Sequence, residues 1–308
     1  TNTPPNGAFR GFGAPQTEFA AETHLNRIAE QLGISPLDIR RRNVYHPGDV
    51  TPTGQLLRDS VAAEEVLERA AEAAEFTRIR ARTADARRRR AGSGTVPGGP
   101  LRTDKERVAS GIGLALAWHG AGFTGSGEIK LASVASLELT GDGRVVVLTA
   151  STEMGQGTRT IFPQLVGEAL GIPDEDVAVA AQDTWFVPDS GPTVASRTCM
   201  IVGKLLERCA RDMRKTLGQQ TPAEYFKRHG SLTVTAQYEP PPGQVWDDER
   251  YAGDAYGSYA WACNVVEIEV DPVTFEVTPT HVTVVAEIGK AIHPVMAEGQ
   301  IQGGTAQG

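Results

Sequence analysis

Apolar positions recur at two different periods along this chain, and the change of period divides it. In "TEFAAETHLNRIAEQLG" (17–33), Leu25, Ile28, Ala29 and Leu32 fall on one helical face, and Gly33 supplies a stop. "SPLDIRRRN" (35–43) predicts a second helix, with Ser35 as cap, Pro36 at the first position and Asp38 placed to complete a box-like pair. "SVAAEEVLERAAEAAEF" (60–76) predicts a third. Beyond Val108 the period shortens to two. "LASVASLELTGDGRVVVLTAS" (131–151) reads as two strands joined at Gly141-Asp142-Gly143, and a second β pair is expected in "NVVEIEVDPVTFEVTPTHVTVVAEIG" (264–289). Between them, 157–171 and 196–218 carry helical spacing. The mixture predicts an α+β fold in two domains, with a boundary near 90–107.

Composition narrows this picture. The 308 residues are enough for two buried cores, and 40% hydrophobic with 22% charged is ordinary for a water-exposed protein. A net charge of −8 speaks against nucleic acid as a main partner. No apolar run is long enough for a membrane span, and the N-terminal residues lack the basic and apolar regions of a signal peptide. A membrane partner is therefore not expected. Cys199, Cys209 and Cys263 stand too far apart for an iron–sulfur or structural zinc site, and they fit a reducing, cytoplasmic location. The arginine run at 87–90 followed by "AGSGTVPGGP" reads as a solvated helix end and a mobile linker.

Four polar, glycine-bearing loops interrupt the scaffold: "FRGFGAPQ" (9–16), "GAGFTGSGE" (120–128), "TEMGQG" (152–157) and "DSGPTVASRT" (189–198). A fifth such segment, "EGQIQGGTAQG" (298–308), closes the sequence. Glycine lets backbone approach a ligand, and the first amides of a helix receive anions, so converging loops would suit a large polar cofactor. "GFG" at 11–13 lacks the third glycine of a dinucleotide fingerprint, and no phosphate-loop or "GxSxG" pattern occurs. None of the six histidines has metal-ligand spacing; His119 and His293 read as core or loop residues.

"FRGFGAPQ", "TEMGQG", "GPTVASRT" and "GQIQGG", in this order, resemble the molybdenum-binding part of the xanthine oxidase and aldehyde oxidoreductase family of molybdenum hydroxylases. The resemblance runs the length of the sequence. It implies a molybdopterin carrying molybdenum, in its cytosine dinucleotide form, and an oxidoreductase that hydroxylates an N-heteroaromatic or aldehyde carbon with oxygen from water. Iron–sulfur clusters and FAD are then expected in partner subunits, together with a polypeptide supplying the remaining molybdenum domain and a small-molecule substrate. On the same resemblance, 1–90 is the helical end of a first molybdenum subdomain with a cofactor loop. Residues 91–107 are a linker, and 108–308 are a second, C-terminally incomplete α+β subdomain.

Residue by residue, the resemblance places Arg10 beside the cofactor, where a planar donor fork suits an oxyanion. It places Phe12 in the substrate cavity, where an aromatic face orients a flat ring. Met154, Gly155 and Gln156 match the segment lying against the pterin, through their amides and the Gln156 carboxamide. Thr193, Val194, Ala195, Ser196, Arg197 and Thr198 match the segment wrapping the cofactor near the metal, and Gln300 a glutamine near the metal ligands. Glu153 has no catalytic place in the pattern and reads as a carboxylate at a helix start. Val194 and Arg197 depart from the xanthine-oxidising members, which speaks against purine specificity.

The family's general-base glutamate, in a Gly-Glu-Pro-Pro-like motif, has no counterpart here, so no catalytic residue is assigned and the isolated chain is expected to be inactive. A split subunit and a truncated piece are both compatible with that. A non-catalytic assembly module retaining the fold is the alternative from another class. A carbon monoxide dehydrogenase relative is a further one, though "GPTVASRT" lacks that subgroup's cysteine-bearing motif.

Overall fold

The structure, a computed structural model, describes residues 2–5, 7–92 and 108–308. It divides into two compact units that interleave along the chain. Unit 1 comprises Thr1–Asp49, Leu57–His119 and Ala260–Gly289, and unit 2 comprises Val50–Leu56, Gly120–Tyr259 and Lys290–Gly308. This differs from division at a single linker: after leaving unit 1 at Gly120, the chain returns to it for the 260–289 hairpin. Strand pairing between residues distant in sequence, invisible to local periodicity, decides that membership. Most of the expected linker, 93–107, lies outside the described residues, while its first two residues end a helix.

In unit 1, α1 (Ala14–Leu32) ends at Gly33, whose φ of 68° is left-handed, with its N–H returned to Ala29 and Glu30 carbonyls. α2 (Pro36–Arg41) begins at Ser35, whose hydroxyl accepts from Leu37 N. The expected box with Asp38 does not form; the shorter aspartate carboxylate accepts from Arg41 instead. Buried Arg40 ties α2 to α1 by bonds to Glu22 and Asn26, and also donates to the Pro36 carbonyl of its own helix. α3 (Ala63–Ala73) buries Ala63, Val66, Leu67, Ala70 and Ala71, a stripe at helical spacing, and α4 follows over Phe76–Gly92. A three-stranded sheet has β1 (Ala109–Gly120) at one edge; its other two strands are β8 (Tyr259–Val270) and β9 (Val277–Glu287), an antiparallel hairpin with a register shift at Glu267/Ile268. Trp118 and Trp261 stack with ring centres 5.4 Å apart, and Trp261 donates its indole N–H to the Ser60 carbonyl.

Unit 2 is built on a four-stranded sheet in the order β4-β3-β2-β5: β2 (Val134–Leu139), β3 (Val145–Leu148), β4 (Val177–Val179) and β5 (Leu232–Gln237). The β2–β3 and β2–β5 pairs are antiparallel, and β3–β4 is parallel. Gly143 turns the β2–β3 hairpin with φ 80°. Alternate residues Leu137, Leu139, Val145 and Val147 point into the core, against Phe162, Val166 and Leu170 of α6 (Thr158–Leu170) and the long α7 (Gly203–Leu217). α7 presents Leu205, Leu206, Cys209, Ala210, Met213 and Leu217 to that core. A π-helical turn over Thr198–Val202 leads into it. Short elements complete the unit: α5 (Gly127–Leu131), the boxed α8 (Pro222–His229), the β6 (Trp246–Asp247) and β7 (Ala252–Gly253) ribbon, and α9 (Pro294–Gln307). The glycine-rich segment 298–308 is therefore mostly helix. Pro294 in the first turn and the His293 ring accepting from Met296 N start it ahead of the glycines.

Candidate functional site

Four of the five glycine-bearing segments belong to unit 2; hydrogen bonds join three of them, and the helix that carries the fourth packs against 152–157 through Met296. The Thr193 hydroxyl accepts from Thr152 N at 2.9 Å, linking 189–198 to 152–157. Gly122 N donates to the Ala195 carbonyl at 2.8 Å, linking 120–128 to 189–198. Gly157, at φ 94°, packs against α9: a Cβ there would lie 2.4 Å from Met296 Sδ, which would have to move aside. Gln300 is one turn beyond Met296 on the same helical face, and it is exposed.

Within 152–157, Glu153 organises the backbone. One carboxylate oxygen accepts from Gly155 N and Gly157 N, the other from the Thr158 hydroxyl and Arg159 N. Burial alone would raise this carboxyl. The Thr158 hydroxyl and the Arg159, Gly157 and Gly155 amides outweigh it and hold the group at about 2. Both oxygens are committed to starting α6. Gln156 also closes on its own loop, accepting from Met154 N and donating to the Thr152 carbonyl. The Met154 and Gly155 amides, read above as cofactor contacts, are thus bonded inside the loop. A flexible glycine loop with a carboxylate and a carboxamide of its own satisfies its backbone locally. What faces solvent is the Met154 side chain, 68% exposed, and the open flank of Gly155.

The 189–198 loop is shaped from beneath by Arg197, 1% exposed. Its Nε and Nη2 form a fork on Glu128 at 3.0 and 2.8 Å. Nη2 also donates to Ser133 Oγ at 2.5 Å, and Nη1 to the Ser190 and Pro192 carbonyls. The Arg197 side chain therefore does not present itself to a cofactor, which corrects its reading as a direct contact. A guanidinium with a buried carboxylate within reach gives up its donors to it. Glu128, missed in the sequence reading, closes the "GAGFTGSGE" loop and also accepts from Phe123 N. A carboxylate ending one glycine loop was the available signal, but its partner lies 69 positions away. Above this pair, Ala195 and Ser196 hold φ of 55° and 52° in succession, a left-handed conformation costly for residues with a Cβ. Ser196 and Val194 are exposed there, while Thr193 and Thr198 are half-buried.

In unit 1, Arg10 and Phe12 lie in the turn that starts α1. Phe12 N donates to the Phe9 carbonyl, and Phe12 has a φ of 47° with 78% of its surface exposed. Gly11 is required on steric grounds, since a Cβ there would lie 2.6 Å from Pro15 Cγ. Arg10 is exposed beside it. Among the described residues, no cluster of three or more His, Cys, Asp or Glu side chains could hold a metal ion directly. No helix among them is long and apolar enough to cross a membrane.

Residues 69–308 match a family model described as a molybdopterin cofactor-binding domain, and residues 1–44 match a second model of the same description. The whole chain aligns at 30% identity with 42% of a xanthine dehydrogenase molybdenum-binding subunit from Escherichia coli O157:H7. The crystal structure of the aldehyde oxidoreductase from Desulfovibrio desulfuricans superposes with a TM-score of 0.78 at 28% identity, covering 97% of this chain and 31% of that one. Quinoline 2-oxidoreductase from Pseudomonas putida 86 gives 0.78 at 25%, covering 98% and 41%. The chain thus spans well under half of each of these proteins.

Proposed function

This chain belongs to the molybdopterin cofactor-binding domain family, and on that premise we propose that it is the cofactor-facing portion of a molybdenum hydroxylase. The reaction we infer is hydroxylation of an N-heteroaromatic or aldehyde carbon with oxygen drawn from water. The observation that carries this reading is the joining of three glycine-bearing segments in unit 2, with the helix bearing a fourth packed against them and Ala195 and Ser196 held left-handed beside a buried ion pair. The relatives named for aldehyde and quinoline oxidation support the substrate class.

The donor set fits a pterin. On unit 2, Met154, Gly155, Val194 and Ser196 are exposed, neutral groups of these loops, as is Gln300 on α9, while Asp189 and Glu298 are exposed carboxylates at the starts of their segments. The one carboxylate in 152–157 is turned to its own loop, where three backbone amides and the Thr158 hydroxyl take up its acceptor sites. Gln156 keeps a second amide hydrogen and a second lone pair beyond the bonds it makes in the loop. When bound, the molybdenum cofactor supplies the oxidation and oxygen-insertion chemistry. The chain's residues bind and orient: Met154–Gln156, Thr193–Thr198 and Gln300 receive the pterin, with Arg197 acting through the loop it supports. On unit 1, Arg10 offers a fixed positive charge to an anionic group, and Phe12 offers a ring face to a flat substrate. The cytosine dinucleotide form, the iron–sulfur and FAD partner subunits and a polypeptide completing the molybdenum domain belong to the same proposal. By itself the chain holds the cofactor side only and is inactive.

The test is turnover in water enriched in oxygen-18, using the assembled protein with quinoline-type heterocycles, aromatic aldehydes and purines. The reading expects label in the product from one of the first two classes. Unlabelled product, or no oxidation of any class by a molybdenum-loaded protein, would overturn it.

A further inference from the structure

Glu128 and Arg197 form one of the most buried ion pairs described in unit 2, and each reaches a different glycine segment. Glu128 accepts from Phe123 N, inside 120–128, while Arg197 donates to the Ser190 and Pro192 carbonyls, inside 189–198. Ser133 Oγ, at the start of β2, takes a further Arg197 donor, so the guanidinium is anchored to the sheet as well. Gly191 leaves room for it: a Cβ there, at φ 74°, would lie 3.0 Å from Arg197 Nη1 and 2.9 Å from Ser133 Oγ. Immediately before Arg197, Ala195 and Ser196 sit in a conformation they would not adopt unaided, and the Ala195 carbonyl receives Gly122 N. Strain of this kind persists only where the surroundings over-determine it.

We propose that the Glu128–Arg197 pair is a positioning clamp, fixing the 189–198 loop in the left-handed shape that retains the molybdopterin. This inference rests on the cofactor-binding reading above. The clamp needs the guanidinium's geometry as well as its charge. One planar fork reaches a carboxylate, a hydroxyl and two carbonyls, whereas a lysine ammonium offers a single point of donation. A pair serving only to neutralise buried charge would be satisfied by lysine.

The experiment uses the assembled protein purified from its own host, comparing wild type with Arg197→Lys and the double variant Glu128→Gln/Arg197→Met. The double variant removes both charges together, so no buried charge is left uncompensated and the fold should survive. Three quantities are read: thermal unfolding, molybdenum per chain, and amide exchange across 189–198. The clamp predicts near-normal unfolding of the double variant, at least tenfold less molybdenum in both variants, and at least tenfold faster exchange in the loop. A loaded wild type beside an equally loaded, folded double variant would overturn the clamp and leave the cofactor reading standing. Full loading of Arg197→Lys would likewise overturn the geometric requirement. A wild type without molybdenum would overturn the cofactor reading, and the clamp's role with it.

Discussion

Replacing Glu153 with glutamine isolates one carboxylate whose four donors all come from the start of α6 and its loop. Glutamine keeps one acceptor oxygen, but it loses the other and the charge that favours a helix N-terminus. Holding this carboxyl at about 2, against its ordinary 4.5, would correspond to about 3 kcal/mol for a fully shielded group. The loop is open to water, which screens the interaction, so about 1 kcal/mol is the expected loss. Because the folded carboxyl titrates below the unfolded one, its contribution is complete above pH 4.5 and is lost as pH falls toward 2. Urea unfolding of wild type and Glu153→Gln at pH 7, 5 and 3 measures this directly. The expected result is a penalty of about 1 kcal/mol at pH 7 and 5 that shrinks at pH 3. A penalty independent of pH, or none at pH 7, would refute the assignment of that stability to an ionised carboxylate.

Other substitutions probe the scaffold and the site separately. Phe162→Ala, at a fully buried position of α6, should cost about 3–5 kcal/mol in urea unfolding, the range for emptying a core aromatic site. Gly157→Ala should destabilise unit 2 by about 1–2 kcal/mol from left-handed strain alone, and Met296→Ala in the same background should recover whatever the Met296 contact adds; calorimetry of the single and double variants reads both. Phe12→Ala, at an exposed position, should leave the melting temperature unchanged while raising KM for a flat substrate in the assembled protein. An unchanged KM would remove Phe12 from the substrate contacts.

Much of the fold is legible in local pattern, because local pattern causes it. The stripe in α3, the Gly33 stop, the β2–β3 turn and the β8–β9 hairpin all follow from residues within a few positions of one another. The interleaving of the units is set by the pairing of β1 (Ala109–Gly120) with β8 (Tyr259–Val270), which brings the 260–289 hairpin back to unit 1, and no periodicity carries that information. The same limit explains Arg197. Beside small loop residues an arginine reads as a ligand contact, and only the folded chain shows Glu128 beneath it. In α9 the glycines at 299, 303 and 304 follow a start signal at Pro294. In the fold the helix begins before they are reached. The loops themselves were legible because their composition, not their partners, marks them.

The most direct test of the central claim is the molybdenum and pterin content of the assembled protein carrying this chain, purified from cells that make the cofactor. The account predicts molybdenum and pterin in a one-to-one ratio with the chain, with cytidine nucleotide released on acid hydrolysis. Protein that is folded, fully assembled and free of both molybdenum and pterin would contradict it.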